Sequence, residues 1–311
     1  MNAPTEVRAS PAASPAASPA ALPANLAAAS ARLVAAAGAA AADALTTVAA
    51  FVRRDFLITT SYRAAFLMDL TWIALVVPIL LLISRMFAGS SAELLRPYDG
   101  NYFAFLLIGV AFQDYVTFSQ TNFNTAVREH QLMGTLEIVM MSPMPVPVVL
   151  LCSSAWGYLY TSVRFVAWVV VGLAFGFSLA RANVGAALLV MALAIASFSA
   201  LGILTAAVVV LIKRGAESIT QIMSAATIAL SGVLYPVEML PGWLGRAAEL
   251  LPFTHALRGI RLAILRGAGI DELQRELVAL GLFALVLFPI GLAAFALAVR
   301  RSKLTGTLGQ Y

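Results

Sequence analysis

Apolar runs of membrane-crossing length alternate with short polar connections along most of the chain. A helix of roughly 20 apolar residues spans the hydrocarbon core of a bilayer, about 30 Å thick. By that measure Phe66 to Phe87 is the first predicted span, with Pro78 as a tolerable kink. Tyr102 to Val127 is the second, Val146 to Phe177 the third, with Arg164 inside it, and Val184 to Ile212 the fourth. Ile219 to Leu234 is short for a full crossing, so the fifth is expected to begin a little before it; Leu277 to Val299 is the sixth. The pattern predicts an all-α polytopic membrane protein with six transmembrane helices.

The connections are as informative as the spans. Between the second and third, the polar stretch from Arg128 through His130, Gln131, Gly134, Thr135, Leu136 and Glu137 to Pro143 favours a helix. Leu132 and Leu136, four apart, make one apolar face, so a short amphipathic helix is expected on the membrane surface, where a soluble partner can push on it. The alternative is a merely amphipathic loop. After the fifth span, the stretch from Pro236 to Gly245 and the segment from Arg246 to Arg266, broken by Pro252 and Thr254, are too apolar for a loop bathed in water. A pair of short helices that dip into the leaflet and return resolves this, with Trp243 at headgroup depth. Before the first span, Arg53, Arg54 and Phe56 suit an interfacial helix.

The N-terminal region differs. Residues 11–23 repeat Pro-Ala-Ala-Ser, which buries little apolar surface and is read as disordered; prolines also interrupt any signal-like core. Leu26 to Ala50 is rich in alanine, which contributes little to insertion, and Asp43 would cost roughly 2.5–3.5 kcal/mol at bilayer depth, so a surface helix is expected there instead of a span. Residues 1–45 are thus expected to be an extension and 46–311 the membrane domain.

Composition supports this frame. The chain is 61% hydrophobic and 11% charged, with a mean hydropathy of +0.90, against about 25% charged residues in soluble domains. The net charge of +5 is scattered over segments flanking the spans and does not suggest nucleic-acid binding. One cysteine, Cys152, leaves neither a disulfide framework nor a cysteine metal site. With six crossings, Arg53, Arg54, Arg63, Arg128, Lys213, Arg214, Arg300, Arg301 and Lys303 share one face, which the positive-inside rule makes cytoplasmic along with both termini. The opposite short loops carry Arg85, Arg96 and Arg181; the loop after the fifth span adds five arginines among five acids and weakens the contrast.

Candidate chemistry is sparse. Gln113, Asp114, Ser119, Gln120, Asn122 and Asn124 put an unusual polar stripe on the second span, which either lines a transport path or glues helices together. Asp114, taken to lie in the outer third of its span, is a functional candidate by default; Arg164 either pairs with it or snorkels. Glu238, flanked by Pro236 and Pro241, is a candidate for gating or release, with helix capping as the alternative. His255 and His130 fall on opposite sides of the membrane, so no metal set can assemble, and His255 is read as structural.

Two stretches carry a resemblance. The segment Gly134-Thr-Leu-Glu-Ile-Val-Met-Met-Ser-Pro143, together with Ser231-Gly-Val-Leu-Tyr-Pro-Val-Glu-Met-Leu-Pro-Gly-Trp-Leu244 and Leu251-Pro-Phe-Thr-His-Ala-Leu-Arg-Gly-Ile-Arg261, resembles the signature regions of ABC-2 type permeases. These are the membrane subunits of ATP-driven exporters of drugs, nodulation factors, polysaccharides or teichoic acids. The resemblance covers roughly residues 50 to 311 and implies an elbow helix before the first span, a coupling helix between the second and third, and re-entrant outer helices. It implies two permease copies, a homodimer being expected, with two nucleotide-binding subunits. Under it, Arg128, His130, Gln131, Gly134, Thr135, Leu136 and Glu137 form the coupling helix that contacts the ATPase. No Gly-x-x-x-x-Gly-Lys-[Ser/Thr] loop occurs in the chain, so it is expected to bind no cofactor itself, ATP and Mg residing on the partner subunit. An exporter in the cytoplasmic membrane, surrounded by lipid, is the reading that follows. A channel or secondary transporter would show inverted repeats, and a membrane enzyme would show converging catalytic groups; neither is evident.

Overall fold

The computed structural model describes residues 46–87, 95, 98, 101–132, 146–211 and 216–304. By internal contacts the chain divides into Met1–Ala49 and Ala50–Tyr311. Only residues 46–49 of the first unit are described. The elements are α1 (46–61), α2 (Arg63–Met86), α3 (Tyr102–Leu132), α4 (Val146–Ala174), α5 (Val184–Leu211), α6 (Ala216–Leu230), a short 3₁₀ turn Val237–Met239, α7 (Gly242–Glu249), α8 (Pro252–Arg261), a π turn Leu262–Arg266, and α9 (Gln274–Leu304). No strand occurs among the described residues.

Among the described residues five helices are long and apolar enough to cross a membrane: Arg63–Met86, Tyr102–Phe123, Leu151–Ala174, Val184–Val210 and Gln274–Arg301. The expected fifth crossing is α6, which at 15 residues reaches only about 22 Å at 1.5 Å per residue. The residues just before it, 212–215, lie outside the described residues. Two asparagines start two of the spans: Asn101 Oδ1 accepts from the amide of Ala104 at 3.2 Å, and Asn183 Oδ1 from that of Ala186 at 3.1 Å. Each satisfies an amide that the first helical turn leaves without a partner.

The spans divide into inner and outer helices. α3 is the most enclosed, with Phe103 to Ile108, Phe112, Tyr115 and Phe123 all buried, and it packs on α2, α4, α5, α6 and α8. α2 buries only Ile73, Val77, Leu80 and Ser84, a single stripe at helical spacing. The rest of its surface, including Leu67, Met68, Trp72, Leu75, Ile79 and Leu82, is exposed and apolar, as a helix facing lipid must be. α9 is equally outward-facing yet packs extensively along α5, where the Ser197 hydroxyl donates to the Leu280 carbonyl at 2.8 Å.

Gly202 on α5 lets α3 approach closely. A Cβ there would collide with the Phe123 ring and stand 2.6 Å from the Ser119 carbonyl oxygen. Replacing Gly202 by Leu is therefore expected to lower stability by roughly 1–3 kcal/mol, the scale of core overpacking. Gly281→Leu, where a Cβ meets nothing within 4 Å, should change little. Thermal unfolding of the two purified variants in one detergent checks this, and equal midpoints would contradict the packing assigned to Gly202.

Candidate functional site

Three charged side chains from three spans meet at membrane depth. Arg164 on α4 reaches Asp114 on α3, Nη2 to Oδ2 at 3.2 Å, and approaches Asp69 on α2, Nη1 to Oδ1 at 3.8 Å. The Tyr160 hydroxyl, one turn earlier on α4, donates to Asp69 Oδ2 at 2.7 Å, and the Trp168 indole, one turn later, donates to Asp114 Oδ2 at 3.4 Å. Positions 160, 164 and 168 share one face of α4, so a single helix supplies every one of these donors. Arg164 therefore pairs with carboxylates and does not snorkel, while its Nε is buried with no partner.

Asp114 sits midway along Tyr102–Phe123 and not in the outer third, and Arg164 midway along Leu151–Ala174. Asp69, which the sequence reading passed over, completes the cluster. Its only sequence signal is a carboxylate three residues past Phe66, where the first predicted span begins. One guanidinium faces two carboxylates, and the side chains of Asp69, Asp114 and Arg164 remain 33%, 26% and 25% exposed, so the cluster is not sealed inside the bundle.

The rest of the polar stripe divides. Gln120 donates from Nε2 to the Thr227 hydroxyl of α6 at 2.8 Å, and the Tyr115 hydroxyl to Ser162 of α4 at 2.7 Å, which are helix-to-helix contacts. Ser119 bonds within its own helix, and the Asn122 amide nitrogen is buried without a partner. Gln113 is half-buried beside Asp114; Asn124 lies in α3. Of the expected surface helix, Arg128, His130 and Gln131 belong to the continuous helix of α3, which runs five residues past the expected end of the second span to Leu132. Gly134, Thr135, Leu136 and Glu137 lie outside the described residues.

At the N-terminal end of α3, α8 is nearly enclosed, with Pro252 to Leu257 and Gly259 to Arg261 buried. Pro252 opens this helix, where its missing amide N–H is not needed. The guanidinium of Arg261, 3% exposed, donates from Nη1 to the Gly232 carbonyl at 2.8 Å and from Nη2 to those of Val233 at 2.7 Å and Phe105 at 3.2 Å. It also lies over the Phe105 ring, 3.4 Å from the centroid. A Cβ on Gly109 would collide with both Arg261 Nη2 and the Val233 oxygen, so glycine is what admits the arginine. A buried guanidinium requires acceptors, which the three carbonyls supply to Nη1 and Nη2, while Nε is buried without one.

One turn earlier on the same helix, Arg258 pairs with Glu238, Nη2 to Oε1 at 3.4 Å, and stands 4.0 Å from Glu276 in the first turn of α9. Glu238 makes no capping hydrogen bond in its 3₁₀ turn; it is turned to Arg258 instead. Tyr98 adjoins this pair, and burial pushes its phenol up from its ordinary pKa, with Glu238 adding to the rise, so it stays neutral. His255 Nε2 lies 2.9 Å from the Glu249 carbonyl, which can only accept, so Nε2 carries a proton and donates; the buried Nδ1 has no hydrogen-bond partner. Among the described residues no group of three or more metal-ligating side chains gathers.

A family model described as ABC-2 family transporter protein matches residues 96–293, from just before α3 to well inside α9. A search of curated proteins finds no match.

Replacing Arg164 by Gln leaves two carboxylates at bilayer depth with no guanidinium between them. The expected loss lies between the about 1 kcal/mol of an exposed pair and the about 3–5 kcal/mol of a buried one. Adding Asp69→Asn and Asp114→Asn should recover most of it, because the uncompensated charge and not the lost contact is the larger cost. Unfolding midpoints of the single and triple variants measure the difference; a triple variant as unstable as the single would show that the cluster acts through packing.

Proposed function

The chain belongs to the ABC-2 family of transporters, and on that footing we propose that it is the permease subunit of an ATP-driven exporter whose ATP is hydrolysed by a separate nucleotide-binding subunit. The family match, covering the enclosed helix α3 and most of the bundle packed on it, is the observation that carries the reading. The lack of a phosphate-binding loop in the chain supports energy supplied in trans, with ATP and Mg held by the partner. Two permease copies, taken to be identical, form the membrane part in the cytoplasmic membrane, with both termini cytoplasmic by the charge distribution. Residues 1–45 are an extension outside this domain. Amphipathic or lipid-linked molecules are the substrate class that suits an apolar bundle open to lipid.

In this reading Arg128, His130, Gln131, Gly134, Thr135, Leu136 and Glu137 dock in a cleft of the ATPase subunit. The continuity of α3 past residue 127 supports a lever, since a push on the polar end of a rigid helix is carried along it to the Asp114 cluster and to Phe105, against which Arg261 rests. Gln113, Asp114 and Asn124 are the pathway candidates. Glu238, at the opposite end of the bundle from the lever, is the gating candidate.

Reconstitution with a nucleotide-binding subunit of an ABC transporter from the same organism tests the proposal. The wild-type chain should co-purify with that subunit and change its hydrolysis rate, whereas Gly134→Pro combined with Glu137→Ala should lose both while remaining folded. Equal recovery of the ATPase by the wild type and the double variant would overturn the docking assignment, and hydrolysis by this chain alone would overturn the division of labour.

A further inference from the structure

The strap between α6 and α7, residues 231–241, is held in two halves of different strength. Its first half is fixed by Arg261 on the carbonyls of Gly232 and Val233, by the Tyr102 hydroxyl on the Leu234 carbonyl at 3.3 Å, and by the Tyr235 hydroxyl on the Ala229 carbonyl. The second half, from Pro236 to Leu240, closes on itself through Met239 N to Pro236 O and Leu240 N to Val237 O, each 3.0 Å. The one described polar tie from that half to another element is Glu238 to Arg258.

Arg258 faces two unequal carboxylates. Glu276 is 6% exposed at the start of α9, where a negative charge also meets the positive end of the helix dipole; Glu238 is 56% exposed. Separating a cation from a buried carboxylate is costly, whereas an exposed pair contributes little and opens readily. The guanidinium presents Nη1 to one acid and Nη2 to the other, so it can keep Glu276 while letting Glu238 go.

We propose that Arg258 is the pivot of a latch: its one positive charge is shared between the buried Glu276 of α9 and the exposed Glu238, through which it fastens the 236–241 half of the strap and releases it without disturbing the half that Arg261 holds. The proposal rests on the gating role assigned above to Glu238 and names the partner residues through which that role is exercised. It makes Arg258 and Glu276 positioning residues. The two acids compete for one cation, so removing either has an opposite effect on the strap. A merely structural pair of contacts has no such sign.

The test uses the full chain with Cys152→Ser, its only cysteine, and Val237→Cys as a reporter on the half-buried face of the strap, labelled by a maleimide in lipid nanodiscs. Glu238→Gln frees the strap and should raise the labelling rate roughly fivefold, the scale of an exposed ion pair. Arg258→Lys should raise it as well, because an ammonium is a point charge that cannot span both acids. That variant leaves both carboxylates and the net charge in place, so its effect is not an electrostatic change in thiol reactivity. Glu276→Gln removes the competing anion, leaving Glu238 as the one carboxylate paired with a guanidinium that also bonds the Tyr98 hydroxyl, and should slow labelling by a similar factor. Acceleration by Glu276→Gln, or an unchanged rate in Arg258→Lys, would overturn the latch. Neither measurement needs the ATPase subunit, so a failed latch and a failed permease assignment show up in separate experiments.

Discussion

Lipid offers a polar group nothing to bond to, and this constraint organises the bundle. Backbone groups are satisfied within helices, so every remaining charge needs partners from a neighbouring helix. Arg164 finds them in Asp114 and Asp69, and Arg261 finds them in three carbonyls and a ring. Both arginines therefore determine which elements stay adjacent. Arg164 fastens α4 to α3 and α2 within their apolar spans, while Arg261 fastens α8 and the residues just after α6 to α3.

The two fastenings leave α3 in the middle of the molecule's mechanics. It is the span most enclosed by others, and it carries Asp114 at its centre, Phe105 near one end and the residues proposed to meet the ATPase at the other. A displacement of α3 is felt by both arginines. The outer helix α2 buries only a narrow stripe, which ties it to the bundle less than α9, whose length packs along α5.

The spans were legible because hydrophobic length is a property of the chain itself. Asn101 and Asn183, where two of them begin, carry the side chains that helix starts require. The apolar character of the Pro236 to Arg266 stretch pointed to two short helices that dip into the leaflet; α7 and α8 are two short helices there, α8 nearly enclosed by protein and α7 with only Ala248 buried. Other features were hidden. Asp69 lies in a run that reads as plain membrane helix, and nothing in its neighbours indicates that Arg164, 95 residues later, comes within 3.8 Å. Arg258, Arg261 and Glu276 looked like members of a charged loop, with the buried ones indistinguishable from the exposed ones. α6 and the true end of α3 differed from expectation because helix ends depend on what the chain packs against as well as on where its apolar residues stop.

What the sequence alone determined is the set of helices long and greasy enough to leave water, and the family to which their order and wording belong. Those follow from transfer energies that each segment carries by itself. Which charges meet, which of them are buried, and which carboxylate holds a given arginine were decided by the tertiary structure. Coulomb attraction and desolvation depend on distances between helices, and side chains far apart in the chain have no fixed distance until the bundle closes.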